Sequence, residues 1–260
     1  MSPTKPTLVL IPGGWHTPTS YTTLTQALQS AGHKVHIPSL PSMSGARPPT
    51  AGLKEDTAHV RAFVTDLLST GETLAVIMHS YGGQLGTNAL AGLGLAARKA
   101  DNLPGGITHL IYMTAFALPP GKSMIDLVRE HGHEELMPLT FEFADDMSVL
   151  PRDPTYLIGD TTGLEKSVVE AYTADIVKVR WNGQCIYDAI ERSAWREEGV
   201  KVAYVMAMAD TWFPVDYQKS VVEAMRAEGV DVGVWELETG HCPNFTATAD
   251  VVKAVGEIVG

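Results

Sequence analysis

Leu74-Ala75-Val76-Ile77-Met78-His79-Ser80-Tyr81-Gly82-Gly83 decides how the rest of the chain is read. Five apolar residues run into His-Ser-Tyr-Gly-Gly, and apolar residues then recur at Leu85, Leu90, Leu93 and Ala97 at helical spacing. The pattern predicts a buried strand, a tight turn carrying Ser80, and a helix. Such a turn holds the serine backbone in a strained conformation and lifts its hydroxyl clear of the sheet edge. Strand and helix backbones come close there, so the flanking residues must be small. Gly82 and Gly83 meet that need. The helix N-terminus adds free backbone N–H groups and a positive dipole end, which suit a hydroxyl that becomes an alkoxide-like nucleophile. A plain serine at a strand-to-helix turn is the competing reading, and the other strand ends decide between them.

Similar buried runs lie on either side. Thr7–Ile11, Lys34–Ile37, Ile107–Thr114, Val200–Met208 and Val230–Leu237 read as strands, separated by helical patterns at Leu24–Ala31, Val60–Leu68, Tyr217–Ala227 and Asp250–Ile258. Strand and helix in alternation specify a mainly parallel sheet of six strands with helices on both faces. Pro38–Thr50 holds four prolines and reads as loop. The alternation fails between Phe116 and Val200. Helical candidates appear there at Ser123–Glu130, Leu164–Ala174 and Gln184–Arg192, with no convincing buried strand. This stretch is too long for a connection. The expected organisation is therefore an α/β core over 1–117 and 196–260, with a helical lid inserted over 118–195.

Composition narrows the function classes. The 260 residues are 45% hydrophobic and 19% charged, as in a soluble globular protein. The net charge of −11 argues against nucleic acid and anionic membrane surfaces as partners. No apolar run approaches a membrane span, and Leu8–Ile11 after the single lysine of Met1–Pro6 is too short for a signal-peptide core. Two cysteines, Cys185 and Cys242, make no disulfide framework. A cytoplasmic enzyme acting on a small molecule is expected, and a homodimer stays open.

Parallel α/β sheets build sites at the carboxyl ends of their strands. Four chemistry-bearing positions fall there: Gly13-Gly14, Ser80, Asp210 and His241. A serine needs a base, and a histidine pKa of about 6.5 suits that task. The histidine needs a carboxylate to fix its tautomer. Asp210 ends an apolar strand directly, whereas Asp216 lies beyond Pro214 in the first turn of the next helix, where a carboxylate suits the dipole. A tetrahedral oxyanion needs N–H donors, expected from Tyr81 and Gly14. The order Ser80, Asp210, His241 is the one α/β-hydrolases use.

The chain resembles the α/β-hydrolase group that includes plant methylesterases, hydroxynitrile lyases and microbial relatives. Leu8–His16 resembles the group's strand followed by a His-Gly-x oxyanion loop, with Pro12 in place of the histidine. Ala31-Gly32-His33-Lys34-Val35, Ser193-Ala194-Trp195-Arg196 and Gly240-His241 also match. The elbow departs from Gly-x-Ser-x-Gly at Met78, which needs an opened turn or a small neighbour. The resemblance fades between about Glu130 and Gly183. It implies an α/β-hydrolase fold with core strand order 2-1-3-4-5-6. It also separates two chemistries, because the plant lyases carry threonine and lysine where this chain has Gly13 and Cys242. Without that hydroxyl and that charge, ester hydrolysis is favoured.

The remaining candidates rank lower. Gly13, Trp15, His16, Phe116, Trp212 and Phe213 flank strand ends and are candidate pocket residues, with His16 able to reach the rim. His79 reads as packing on the far side of its strand. His131, His133, Glu134 and Glu135 fit no metal motif, and no metal or cofactor is expected. The sequence thus leads to a serine hydrolase of an ester, lactone or thioester of a small apolar or aromatic substrate. A carbon–carbon lyase or cyclase, a receptor with a vestigial triad, and a non-catalytic interaction protein are the alternatives.

Overall fold

The computed structural model describes residues 5–260, so the first four residues of the leader reading lie outside the described residues. The strand β1 (Thr7–Ile11) is buried on both faces. Helix α1 (Thr22–Ser30), strand β2 (Val35–His36) and helix α2 (Leu53–Ser69) follow. Then come β3 (Thr73–His79), α3 (Tyr81–Ala89), α4 (Leu95–Ala100) and β4 (Gly106–Met113). The inserted segment carries α5 (Met124–Glu130), α6 (Met137–Thr140), β5 (Phe141–Phe143), β6 (Ser148–Pro151), α7 (Pro154–Ile158), α8 (Lys166–Ile176) and β7 (Trp181–Asn182). The core resumes with β8 (Lys201–Ala207), α9 (Val215–Ala227), β9 (Val232–Leu237), α10 (Pro243–Thr246) and α11 (Thr248–Val259).

Six strands pair in parallel in the order β2-β1-β3-β4-β8-β9, which is 2-1-3-4-5-6 along the core. Tyr112 of β4 lies between Met78 of β3 and Tyr204 of β8. Successive side chains point to opposite faces of a strand, and two apolar layers result. Val9, Ile11, Val76, Met78 and Tyr112 join the layer under α2, α3 and the insertion. Leu8, Leu10, Ala75, Ile77 and Ile111 join the layer shared with Leu24, Leu28, Val251 and Val255 of α1 and α11. Burying each of the valine, leucine, isoleucine and methionine side chains contributes about 2 kcal/mol.

Three details differ from the sequence reading. The helix after Ser80 does not continue to Ala97. It stops at Ala89 and resumes at Leu95, because Gly92 takes φ 81° and Gly94 is extended. Arg61 caps the break, donating from Nη1 to the carbonyls of Ala89 at 2.7 Å and Ala91 at 2.6 Å. The insertion is not wholly helical: β5, β6 and β7 form an antiparallel sheet. Strands of two to four residues are too short to show a period of two, and the acidic turn between β5 and β6 hides them. Asp146 organises that turn by accepting from the Ser148 N–H and hydroxyl. Finally, Gln184–Arg192 holds only one tight turn, Gly183–Ile186. Buried Gln84 of α3 pins it by donating to the carbonyls of Cys185 and Asp188.

Candidate active site

Ser80 sits between β3 and α3 with φ 52° and ψ −119°, a conformation rare for a non-glycine residue. Local packing enforces the turn. A Cβ at Gly82 would strike the Ile11 carbonyl oxygen, so β1 and α3 approach only over glycine. Room for Met78 comes from Gly86, one turn further along α3, where a Cβ would collide with the Met78 sulfur. The small neighbour that Met78 requires is therefore Gly86.

The ends of β3, β8 and β9 bring Ser80, Asp210 and His241 together. Ser80 Oγ lies 2.9 Å from His241 Nε2, and His241 Nδ1 lies 2.7 Å from Asp210 Oδ2. All three are buried. A carboxylate only accepts, so Nδ1 carries the proton and Nε2 is free to accept from the serine hydroxyl. Asp210 is itself held fast. Its Oδ1 accepts from the N–H groups of Trp212 at 2.9 Å and Phe213 at 2.8 Å. Its Oδ2 also accepts from the Thr114 hydroxyl at 2.5 Å. Thr114 reaches it from the end of β4 with φ 42°, a costly conformation for a branched residue. Asp216 is exposed in the first turn of α9.

The loop after β1 leaves two backbone donors, the Gly14 and Trp15 N–H groups, without an acceptor among the described residues. Gly13 N–H donates to Tyr21 Oη at 2.9 Å. Gly13 carbonyl accepts from His16 N–H at 3.3 Å, and Gly14 carbonyl accepts from His16 Nδ1 at 2.7 Å. Among the described residues, Gly14 N–H has no acceptor, and neither does Tyr81 N–H at the start of α3. The Gly13 side of the loop lies against Ser80, since a Cβ there would stand 3.0 Å from Ser80 Cβ. Tyr81 is anchored through its hydroxyl, which donates at 2.8 Å to Asp56 Oδ2. Asp56, fully buried on α2, also accepts from the Ser42 N–H and hydroxyl. Burial pushes its carboxyl up against the pull of these hydrogen bonds.

Two histidines read as peripheral lie at the centre of this framework. His79 is buried, but it does more than pack. Tyr21 Oη donates to its Nδ1 at 2.8 Å, and its Nε2 donates to the His241 carbonyl at 2.8 Å. His16 does not reach the pocket rim; it is buried at 2% exposure beneath the Gly13-Gly14 loop. Burial drives both pKa values down, that of His16 to about 4, so both rings are neutral near pH 7.

A cavity of about 140 Å³ opens between α5, α6 and the segment after β8. Phe116, Phe141, Trp212 and Phe213 form much of its wall, with His133 and Tyr217 as polar members. Ser80 is not on the wall, but the Phe116 N–H donates to the Ser80 carbonyl at 3.3 Å. Of the six candidate pocket residues, Phe116, Trp212 and Phe213 line this cavity. Gly13 and His16 belong to the loop after β1. Trp15 is buried, donating from Nε1 to the Val149 carbonyl at 2.8 Å. A larger groove of about 900 Å³ lies at the opposite end of the sheet, around the start of β8. His133 Nδ1 pairs with Tyr217 Oη at 2.7 Å and His131 Nδ1 with the Leu127 carbonyl at 3.0 Å. Among the described residues no three His, Cys, Asp or Glu side chains are grouped to hold a metal, and no helix is long and apolar enough to cross a membrane.

Asp56, Tyr21 and Thr114 were missed from sequence. Asp56 carried a signal, because it interrupts the apolar stripe Leu53, Val60, Val64, Leu68 of α2. Tyr21 and Thr114 carried none.

Residues 8–254 match the family model described as "Alpha/beta hydrolase family", and the chain belongs to that family. It is an enzyme of the α/β-hydrolase type. It is similar to the protein named "Probable hydrolase R7" of Phoma sp., 25% identical with 99% of each chain covered. Among solved structures, polyneuridine aldehyde esterase superposes with a TM-score of 0.77 at 20% identity, over 99% of this chain and 100% of that one. A pyrethroid hydrolase from Sphingobium faniae JZ-2 superposes with a TM-score of 0.71 at 18% identity, over 98% of each chain. At these identities the two structures speak for the fold alone.

Proposed function

We propose that this enzyme hydrolyses an ester, lactone or thioester of a small apolar or aromatic substrate through a Ser80 acyl-enzyme. The observation that carries the reading is the chain Ser80–His241–Asp210, at 2.9 and 2.7 Å, together with the Gly14 and Tyr81 N–H groups, which have no acceptor among the described residues. Ser80 Oγ attacks the carbonyl carbon while His241 Nε2 takes its proton. The carbonyl oxygen becomes an oxyanion and accepts from Gly14 and Tyr81 N–H. His241 then gives its proton to the leaving oxygen or sulfur, and the carbon–leaving-group bond breaks. Water, deprotonated by His241, releases the acid and restores Ser80. Asp210 stays ionised throughout and stabilises the imidazolium.

The aromatic wall of the cavity supports an apolar acyl or leaving group, since ligand sites are largely apolar with few polar contacts. The names of the esterase and pyrethroid hydrolase neighbours lean the same way. In this reading the segment 118–195 is a lid that selects substrate and excludes water. Nothing favours the lyase alternative: position 242 is a buried neutral cysteine, its thiol pushed up by burial. A panel of acyl esters of graded chain length, lactones and thioesters tests the proposal. At least one class should turn over with a burst of leaving group equal to the enzyme present. Cleavage of a carbon–carbon bond with every acyl substrate inert would contradict it.

A further inference from the structure

The side chain of His16 spans two parts of the molecule that no backbone bond joins. One ring nitrogen, Nδ1, lies 2.7 Å from the Gly14 carbonyl; the other, Nε2, lies 3.1 Å from Tyr172 Oη of α8 in the insertion. The direction of each bond is forced. A carbonyl only accepts, so Nδ1 carries the proton and Nε2 must accept. Tyr172 therefore donates its hydroxyl hydrogen to His16, and its oxygen accepts from Asn244 Nδ2 at 2.8 Å. Asn244 stands three residues after His241 and also donates to the Ser20 carbonyl at 3.1 Å. The Cys242 thiol packs 3.6 Å from the same His16 nitrogen. The Phe245 ring stacks on Tyr172 with centroids 4.1 Å apart.

The peptide that carries Gly14 N–H is also held by His16. Its carbonyl, that of Gly13, accepts from the His16 backbone N–H. In a trans peptide the N–H points opposite to the carbonyl. His16 thus grips the loop at two successive carbonyls and turns the Gly14 N–H outward. Trp181 of β7, also in the insertion, packs over Gly14, where a Cβ would stand 3.0 Å from its ring.

We propose that His16 is a positioning residue that couples the seating of α8, through the Tyr172 hydroxyl, to the orientation of the Gly14 N–H. The inference rests on the oxyanion role given to Gly14 above. When α8 is seated, the Tyr172 hydroxyl orients the ring and the loop is set for charge on the substrate oxygen. When α8 moves away, the ring loses its partner and the donor loses alignment. The enzyme then stabilises the transition state only under a seated insertion.

Three variants and one ligand test this. His16→Leu removes both ring bonds; His16→Asn keeps an amide donor near the Nδ1 position but loses the reach to Tyr172. Tyr172→Phe removes one hydroxyl from a half-buried residue and leaves the ring stacked on Phe245. Each is assayed for kcat and KM, for melting temperature, and for affinity toward an aryl boronic acid that adds to Ser80 as a tetrahedral anion. His16→Leu should lower kcat about 10²–10³-fold, the effect of one lost oxyanion donor, with KM within a few-fold. Boronate affinity should fall in parallel, and His16→Asn should recover a large part of both. Tyr172→Phe should lower kcat about tenfold, the size of one hydrogen bond, while the variant remains folded at the assay temperature. Unchanged kcat in Tyr172→Phe, or equal losses in His16→Leu and His16→Asn, would overturn the coupling even if the leucine variant does not fold. Failure of the unmodified enzyme to bind the boronate would instead remove the oxyanion reading beneath it.

Discussion

Met78 occupies the space that a side chain at Gly86 would need. The methionine replaces the first small residue of the elbow, and α3 yields by placing glycine one turn beyond Gly82. Taken alone, glycine to alanine inside a helix stabilises by about 1 kcal/mol. Here Gly86→Ala should instead destabilise by about 1–3 kcal/mol, the cost of overpacking. In a Met78→Gly background the same change should be neutral or favourable. Urea denaturation of the four proteins in the cycle checks this, with a coupling of about 1 kcal/mol or more expected between touching residues.

Asp210 and Asp216 differ in surroundings: Asp210 is buried against His241, and Asp216 is exposed at the start of α9. Asp210→Asn presents the wrong partner to His241 Nδ1 and should reduce kcat by about 10⁴-fold. Asp216→Asn alters only a dipole interaction at the exposed start of α9 and should cost at most about 1 kcal/mol of stability, with kcat unchanged. Steady-state kinetics and thermal melts of both variants decide it, and the reverse pattern would move the acid to Asp216.

The core was legible because its central strands, β1, β3, β4 and β8, are buried almost throughout. Runs such as Leu8–Ile11 and Leu74–Met78 announce themselves as continuous apolar segments, and chemistry at their ends follows from parallel topology. Ser80, Asp210 and His241, which lie within hydrogen-bonding reach of one another in the structure, were singled out this way. The insertion was obscure for the opposite reason: β7 has two residues, and α8 buries only Ile176 fully. Its contacts come from residues distant in sequence, as in the Tyr172–His16 pair. The supporting framework was hidden too, since period-two reasoning assigns His79 to packing and cannot see its bond to the His241 carbonyl.

Two buried neutral histidines make stability depend on pH in a defined direction. The His16 pKa is lowered to about 4 in the fold, and that of His79 lies well below 6.5. Below pH 6.5 the unfolded chain takes up these protons and the folded chain does not. Stability is therefore fully present above pH 6.5 and declines as pH falls towards 4, where the His16 share levels off. Each histidine should contribute a slope of about 1.4 kcal/mol per pH unit within that window. Urea midpoints of the unmodified protein and His16→Asn, measured from pH 7 to 4, should differ by one such share. Parallel curves would contradict the neutral state of His16.

Substitutions on the cavity wall should change which substrates are used without touching the chemistry. Phe141→Ala and Met137→Ala enlarge the space between α6 and Trp212. The kcat/KM ratio of bulky to small esters should shift by about 10–200-fold per lost apolar contact. Labelling of Ser80 by a fluorophosphonate should be unaffected. Leu139, 70% exposed, serves as the control and should leave the ratio unchanged on truncation. Equal scaling of all substrates would show that the insertion does not select among them.

The nucleophile assignment is tested most directly by trapping it. Intact-mass spectrometry after incubation with a fluorophosphonate should show one adduct per chain, and peptide mapping should place it on Ser80. Ser80→Ala should take no label and lose about 10⁴-fold or more in hydrolysis, with an unchanged melting temperature because only one oxygen is removed. An adduct elsewhere, or hydrolysis retained by purified Ser80→Ala, would contradict the account.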